Sequence, residues 1–547
     1  MVTGRKEALG RETVKKTLLG MLLFLFGVLS LGFAQEIEPE EPEIVLPSII
    51  LEIEDLSTEQ VTAALPEEEE LAIPEPQFPL PAAGEIEVGE PEIDFLLPQT
   101  GAPAFQVKEG KYLTAEAVLG AGSVNEFYSR ISLYFLGDRP EGKLLYEHET
   151  LDGFSSKPAG SGYNFREDRL ESALSFDLGR VNFSPEGTYS DQERGLQGQG
   201  SYFSKINRVL DVTLGTLLPL SDWFSLRGSL QTSSARQLLT AETVNAVEAK
   251  EYYVSSSLAG EFSFKKVSFG IEPGFSYRSV PDSSDLTLSR GYVRGFLGFD
   301  VSERYRLDGS LGWFWSEPTG TLVPFDLMLN AFLTDFFSLR LGGGYRVEQY
   351  NLKDVFTDLP LADLPGSLTD NHGWFFESGL HWIPLQGWIL NSSLVFMNNQ
   401  NLPDLGVTPD PTTGLFPFSQ EKIETLRLDL GARWNISESF TTRAGVQTEL
   451  LSRAQFQPGL NFYADANLTQ KQGKYGAGAS LDFLSGVNDS DQVPLLNLNG
   501  FFRLNDYVRF VTEIDDILYP LLDEPRYYWY PYVDPGFTLK AKVYINF

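Results

Sequence analysis

The sequence predicts an all-β fold, a transmembrane antiparallel up-and-down β-barrel of about 22 strands, and three observations carry that prediction. From about Tyr112 onward, segments of alternating apolar and polar residues recur, separated by short polar turns or longer loops rich in Pro, Asp and Asn. After the first 34 residues no stretch approaches the ~20 apolar residues of a spanning helix, so membrane residence must come from strands. In hydrocarbon every backbone donor and acceptor has to be paired within the protein, and strands achieve this only by closing on themselves. The third observation is the end of the chain. Phe537, Leu539, Ala541, Val543, Ile545 and Phe547 are apolar, while Thr538, Lys540, Lys542, Tyr544 and Asn546 between them are polar or amphipathic.

The first element is an export signal over residues 1–34. Arg5, Lys6, Arg11, Lys15 and Lys16 precede an apolar run from Leu18 to Leu31, and Gly32-Phe33-Ala34 supplies small residues for a cut after Ala34. A membrane anchor is the alternative, but the run is short for a span. The second element, residues 35–104, is acidic and rich in Pro and Glu. Residues 36–104 hold nineteen Asp plus Glu and no Lys or Arg, out of a formal charge of −33 for the chain. Proline density and one-signed charge oppose a packed core, so an extended linker is expected. Within it, Ile44 to Leu51 and Ile93 to Leu97 are apolar enough for short strands or docking motifs. Residues 105–547 form the barrel region and still carry about −17 at neutral pH, which argues against binding a nucleic-acid backbone. With no cysteine, thiolate and disulfide chemistry are absent.

Within the barrel region, alternation is clearest in Phe337 to Val347, Arg304 to Trp315 and Leu426 to Asn435. A soluble β-sandwich also alternates. The polar face is the discriminator: arginines and carboxylates recur on it, as a wet lumen permits, while Trp313, Trp315, Trp382, Trp388 and Trp434 lie near strand ends on the apolar face. Five short turns share one pattern, an apolar residue, then Ser, Thr or Asn, then an acid, beginning at Leu220, Val301, Leu333, Ile436 and Leu504. These belong to one rim, and the long connections 351–371, 399–420 and 518–535 fall to the other. Strands are expected near 112, 126, 142, 167, 181, 206, 222, 250, 266, 288, 304, 322, 337, 372, 387, 421, 439, 457, 474, 493, 506 and 537. The segments near 142, 181 and 206 alternate least cleanly, which leaves 20 or 18 strands open.

The terminal segment, with Leu539, Val543, Ile545 and the carboxy-terminal Phe547, resembles the closing strand of Gram-negative outer-membrane β-barrels, the signal read by their assembly machinery. That resemblance implies residence in outer-membrane lipid, short turns on the periplasmic rim and a periplasmic linker. In strand count the barrel is similar to that of TonB-dependent transporters. Residues before it lack the length and the glycine-rich alternation of their plug domain, so no family binding residue is carried over.

A barrel of this size encloses more than its side chains can fill, so water or a segment of chain must occupy the lumen. Arg304, Arg306, Asp308, Arg340, Arg346, Arg427, Asp429, Arg433, Arg509, Glu513, Lys540 and Lys542 are the expected lumen-lining residues. The acidic linker is one candidate occupant, offset by the inward cations.

Chemistry is sparse. His148, His372 and His381 are the only histidines; Glu147-His148-Glu149 lacks metal-ligand spacing, and His372 and His381 differ in facing parity. No Gly-x-Ser-x-Gly elbow accompanies a plausible base. Gly120 to Gly122 and Gly342 to Gly344 lie within strands, where close strand packing explains them better than a phosphate cradle. Gly486 to Asp491 gathers oxygen ligands but lacks an EF-hand's central glycine and distal Glu. No catalytic residue, cofactor or metal site is expected, and no enzymatic activity. Two functions stay open: a channel or transporter for small polar solutes through a charged lumen, or an anchoring protein whose acidic segment docks a periplasmic protein.

Overall fold

In a computed structural model the chain is described over residues 113–547, apart from 137–140, 155–156, 242–246, 282–285, 318, 488–489, 492–493 and 523–524. The expected signal and acidic linker lie outside the described residues. The alternating segments form β1 (Leu113–Gly122), β2 (Glu126–Leu136), β3 (Glu141–Asp152), β4 (Asn164–Leu178), β5 (Val181–Gly195), β6 (Ser204–Ser221), β7 (Phe224–Thr240), β8 (Val247–Phe264), β9 (Val267–Ser279), β10 (Leu288–Ser302) and β11 (Tyr305–Ser316). They continue as β12 (Phe325–Thr334), β13 (Phe337–Glu348), β14 (Asn371–Trp382), β15 (Trp388–Leu405), β16 (Phe418–Ser437), β17 (Phe440–Glu449), β18 (Leu460–Thr469), β19 (Tyr475–Val487), β20 (Leu495–Arg503), β21 (Val508–Asp515) and β22 (Thr538–Asn546). Gly320–Leu322 and Ser490–Asp491 are short additions to β11 and β19.

Each strand pairs antiparallel with the next, and β22 pairs back onto β1, with Val118 opposite Tyr544 and Leu119 opposite Val543. The result is a closed antiparallel barrel of 22 strands. Every expected strand start lies within three residues of the observed one, including those near 142, 181 and 206. Lengths were less legible. β15 and β16 run on to Leu405 and begin at Phe418, through a stretch expected to be loop, with a bulge between Asn399 and Leu402 absorbing the irregularity.

The short turns explain their own sequence pattern. Ser302 Oγ accepts the Arg304 N–H at 3.2 Å, Thr334 Oγ1 the Phe336 N–H at 3.2 Å and Ser437 Oγ the Ser439 N–H at 3.2 Å. Asn505 Oδ1 accepts from both Tyr507 and Val508 at 2.8 Å. A side chain with a short-range acceptor satisfies backbone donors that the hairpin leaves unpaired, which is why Ser, Thr or Asn recurs there. These turns all lie at one end of the barrel, the turn end; the long loops lie at the other, the loop end.

One face of each strand is greasy and open. Leu311, Ile271, Leu297 and Leu327 are about half exposed, as befits side chains meeting lipid. Trp388 stacks on Trp434 at 4.7 Å near the turn end, and Trp223 stacks there with Phe262 and Phe264. Trp313 and Trp315 face the same way toward the loop end. On the longest strands the apolar band gives way to ion pairs toward the loop end: Arg208 with Asp191 at 2.6 Å and Arg236 with Glu248 at 2.6 Å. Close packing accounts for Gly344, where a Cβ would come within 2.0 Å of the Phe325 carbonyl oxygen.

The two faces should respond oppositely to the same charge. In lipid vesicles Leu311→Lys is expected to destabilise the barrel by about 2–4 kcal/mol, the range for a cation on the lipid face near the midplane. Asn330→Lys, on the inner face beside Asp308, is expected to be nearly neutral. Denaturant unfolding followed by tryptophan fluorescence checks both, and equal effects would refute the assignment of faces.

Candidate functional site

The inner face is mostly polar and charged, broken by an apolar cluster of Val118, Tyr128, Val511, Tyr544 and Phe501 at the closing seam and by Phe314, Phe375 and Met397, and the register places the expected lumen residues on it with one exception. Arg306 bonds Asp308 at 2.9 Å; Arg340 and Arg346 share Glu377 at 3.1 and 3.2 Å, and Arg346 lies 3.7 Å above the Phe375 ring. Arg427 bonds Glu449 at 3.0 Å, Asp429 accepts from Ser393 Oγ at 2.9 Å, and Arg433 reaches Asn435 at 3.3 Å. Arg509 lies over the Tyr544 ring at 4.2 Å, and Lys542 bonds Glu513 at 2.7 Å. Lys540 is mostly buried among Glu126, Asp515 and Glu149, at 2.7, 3.4 and 3.8 Å. Arg304 is the exception: it sits in the turn before β11, exposed, its guanidinium on the Leu333 carbonyl at 3.3 Å.

The histidines do not gather. His148 and His372 face outward, on Asp168 at 2.7 Å and Tyr345 Oη at 2.6 Å, while His381 faces inward on Asn391 at 2.7 Å. Among the described residues no group of three His, Asp or Glu is placed to hold a metal ion. Asn488 and Asp489 of the oxygen-rich loop lie outside the described residues.

What the sequence did not reveal is a strap inside the barrel. The loop 349–370 between β13 and β14 turns inward and carries helix α1 (Leu352–Asp358). Leu352, Val355 and Phe356 recur at the spacing of one helical face and are buried, and Pro360 stops the helix. Two carboxylates hold its N-terminus: Asp354 accepts the Asn351 N–H at 2.9 Å, and Glu251 of β8 accepts the Leu352 N–H at 2.6 Å. Negative charge is favourable there because the first helical N–H groups are unpaired. Burial lifts the Asp354 carboxyl above the ordinary aspartate range.

Inner-face side chains fasten the strap to the wall from β6 to β10. Lys205 donates to the Ala362 carbonyl at 2.6 Å, Asn207 to Phe356 at 3.3 Å, and Lys353 of the strap pairs with Asp211. Arg278 donates to the carbonyls of Leu286, Tyr350 and Leu368, each at 2.7 Å. Arg290 grips Asp370 through two bonds at 2.6 and 3.1 Å, adding Asn351 at 3.0 Å and the Tyr350 carbonyl at 2.6 Å. Both members of that ion pair are fully buried, so each depends on the other for compensation.

Other loops knit over the strap. A bridge joins Ala362 to Phe416, Ser201 N–H donates to Thr412 at 2.9 Å, and Gln197 exchanges two hydrogen bonds with Val533. Tyr532 is buried against Phe416 and donates to the Gly414 carbonyl. These loops leave the wall after β5, β15 and β21, so they meet from widely separated strands and form a cap with its own apolar core. Beneath it, the inner faces of β17–β22 and β1–β4 form the wall opposite the strap. Together the charged wall and the strap bring no nucleophile and base into contact as a catalytic pair among the described residues.

The sequence matches no protein-family model and no curated protein. Solved structures do match the fold. The copper transporter OprC superposes with a TM-score of 0.60 at 13% identity over 80% of each chain. A variant of the ferric enterobactin receptor of Pseudomonas aeruginosa gives 0.60 at 12% over 80% of this chain and 81% of that one. The FrpB iron transporter of Neisseria meningitidis gives 0.60 at 8% over 80% and 81%. At these identities the likeness is one of fold: the chain has the 22-strand barrel of outer-membrane receptors and transporters, as the resemblance to TonB-dependent transporters implied.

Proposed function

We propose that the protein is an outer-membrane transporter or channel for small polar solutes, with the turn end in the periplasm and the capped loop end outward. The observation that carries this reading is the combination of a closed wall, mostly polar and charged inside, with a loop cap assembled over it. Fold neighbours named as copper and iron transporters and a siderophore receptor support transport in general. The mechanism needs no covalent step: solutes are selected by steric fit and by paired inward charges, and passage is limited by the cap. We assign it no reaction of its own. An anchoring role, with the acidic segment docking a periplasmic protein, is the competing reading.

Conductance in planar bilayers separates the two. The unaltered protein is expected to show small or infrequent steps, and replacing residues 352–369 by a short Gly-Ser linker is expected to give larger ones. Barrels that remain folded by heat-modifiable gel mobility yet never conduct after that replacement would favour the anchor.

A finer variant tests the strap alone. Arg290→Met leaves Asp370 buried without its partner, a defect of about 3–5 kcal/mol for a broken buried pair. It is expected to expose 349–370 to protease and raise conductance without unfolding the barrel. Arg290→Met with Asp370→Leu should restore protection, since removing both charges relieves the uncompensated one.

A further inference from the structure

The inner wall is polarised around its circumference at the turn end. Within four residues of that end, the inner faces of β13–β21 carry Arg340, Arg433, Arg443, Arg503 and Arg509 against one acid among the described residues, Asp465. The same level of β1–β12 is reversed, with Glu116, Glu141, Asp177, Glu261, Asp300 and Asp308 outnumbering Lys143, Arg227 and Arg306. On the basic side, Arg433 is directly opposite Arg443, and Arg503 directly opposite Arg509. Like charges in opposed positions are unfavourable. Asp465 reaches Arg443 at 2.8 Å and Glu377, one step deeper, reaches Arg340 at 3.1 Å, which leaves Arg433, Arg503 and Arg509 with no carboxylate at ion-pair distance among the described residues.

We infer that this basic crescent is the docking surface for the acidic segment of the same chain, residues 67–94, lying extended along the inner rim of the turn end. From β13 to β21 the crescent spans eight strand spacings, about 40 Å at ~4.8 Å each. A compact anion cannot touch both ends. An extended acidic peptide can, and residues 67–94 hold ten carboxylates with no Lys or Arg. At ~3.3 Å per residue such a segment reaches about 90 Å. Tethering favours it over a free partner, because β1 starts at the same end, at Leu113, and adjoins β22 beside the crescent. The eighteen residues between Asp94 and Leu113 reach about 60 Å when extended, so the segment is held at high effective concentration.

The structure changes which cations take part. Lys540 and Lys542 are buried on carboxylates of the closing seam, Arg306 lies on the acidic side and Arg304 is in a turn, whereas Arg503, and Arg443 with its partner Asp465, join the crescent. The inference does not depend on transport, since an anchor could hold the segment equally well.

Because the chain has no cysteine, engineered pairs report cleanly. In the full-length protein in lipid vesicles, Glu85→Cys is expected to cross-link to Asn499→Cys, on the inner face of the basic side. It is expected not to cross-link to Ser184→Cys, on the acidic side. The basic-side yield should fall by about an order of magnitude in high salt and in a background of Arg433→Gln, Arg503→Gln and Arg509→Gln. Equal yields on both sides, or a basic-side yield indifferent to salt, would overturn the proposal. The salt series keeps the crescent arginines in place, so misfolding of the triple variant does not blunt the test. Failure of the conductance experiments with successful cross-linking would sink the transport reading and leave this one standing.

Discussion

Closure of the backbone hydrogen-bond ladder is the constraint from which the rest of this molecule follows. A strand edge exposed to hydrocarbon leaves unpaired N–H and C=O groups at several kcal/mol each, so β22 must return to β1. It does so through Ala117 opposite Ile545 and Ala121 opposite Ala541, and the Phe547 N–H continues the ladder to the Ala115 carbonyl at 2.8 Å. Once the cylinder is closed, period-two alternation forces every second residue inward. The closing strand shows what that means for charge. Lys540 and Lys542 face inward into carboxylates from β2, β3 and β21, so their buried contacts brace the seam from within. They are structural members first, and only secondarily part of a lumen surface.

An inward-facing polar wall does not by itself make a selective passage, because a cylinder of this circumference is wider than a small solute. In the transport reading proposed above, the strap supplies the missing restriction. Its apolar residues pack against the loops of the cap, while its backbone carbonyls are taken by Lys205, Asn207, Arg278 and Arg290. That division is necessary: a loop folded into the barrel carries backbone groups that lose water, and the wall has to replace those hydrogen bonds. Arg278, with its guanidinium spread over three carbonyls, is suited to this because its five donors are rigidly placed. The cost of burying Arg290 is met by Asp370 and Asn351, which tie the two ends of the strap together.

The barrel was legible in the sequence because both its signals are local. Alternation such as Leu426 to Trp434 against Arg427 to Arg433 depends on one strand alone, and the Ser, Thr or Asn of each turn bonds a backbone two residues away. The strap was not legible because its meaning is tertiary. Asn351 to Asp358 carries a helical pattern, Leu352, Val355 and Phe356, with an acid three positions after Asn351, but a helix of two turns has too little local stability to announce itself against surrounding Asp and Pro. Arg278 and Arg290 alternate like other inward arginines. Nothing near them in sequence distinguishes a cation that ends in a buried pair from one that ends in water, since the distinguishing partner is about 80 residues away. Asn398 to Pro403 misled for the opposite reason: turn-forming residues occupy a bulged strand that the paired neighbour holds extended.

The two ends of the barrel are therefore built for different tasks by the lengths of their connections. Hairpins of two to five residues cannot reach the axis, so the turn end remains a ring, and anything that covers it must come from a separate part of the chain or from another molecule. Long loops at the other end can cross the lumen and acquire a core, which makes the cap part of the fold and ties its opening to breaking packed contacts. Arg526 illustrates the strength of that link, its guanidinium buried on Asp516 through bonds of 2.8 and 3.0 Å beneath the last loop. Burial also pushes the nearby Asp534 carboxyl up to about 6. A cap fastened by buried charges opens by discrete rearrangement, whereas a charged strip of the kind inferred for the turn end would exchange with salt and solvent. In the transport reading proposed above, control that is steep belongs at the loop end, and control that is graded belongs at the turn end.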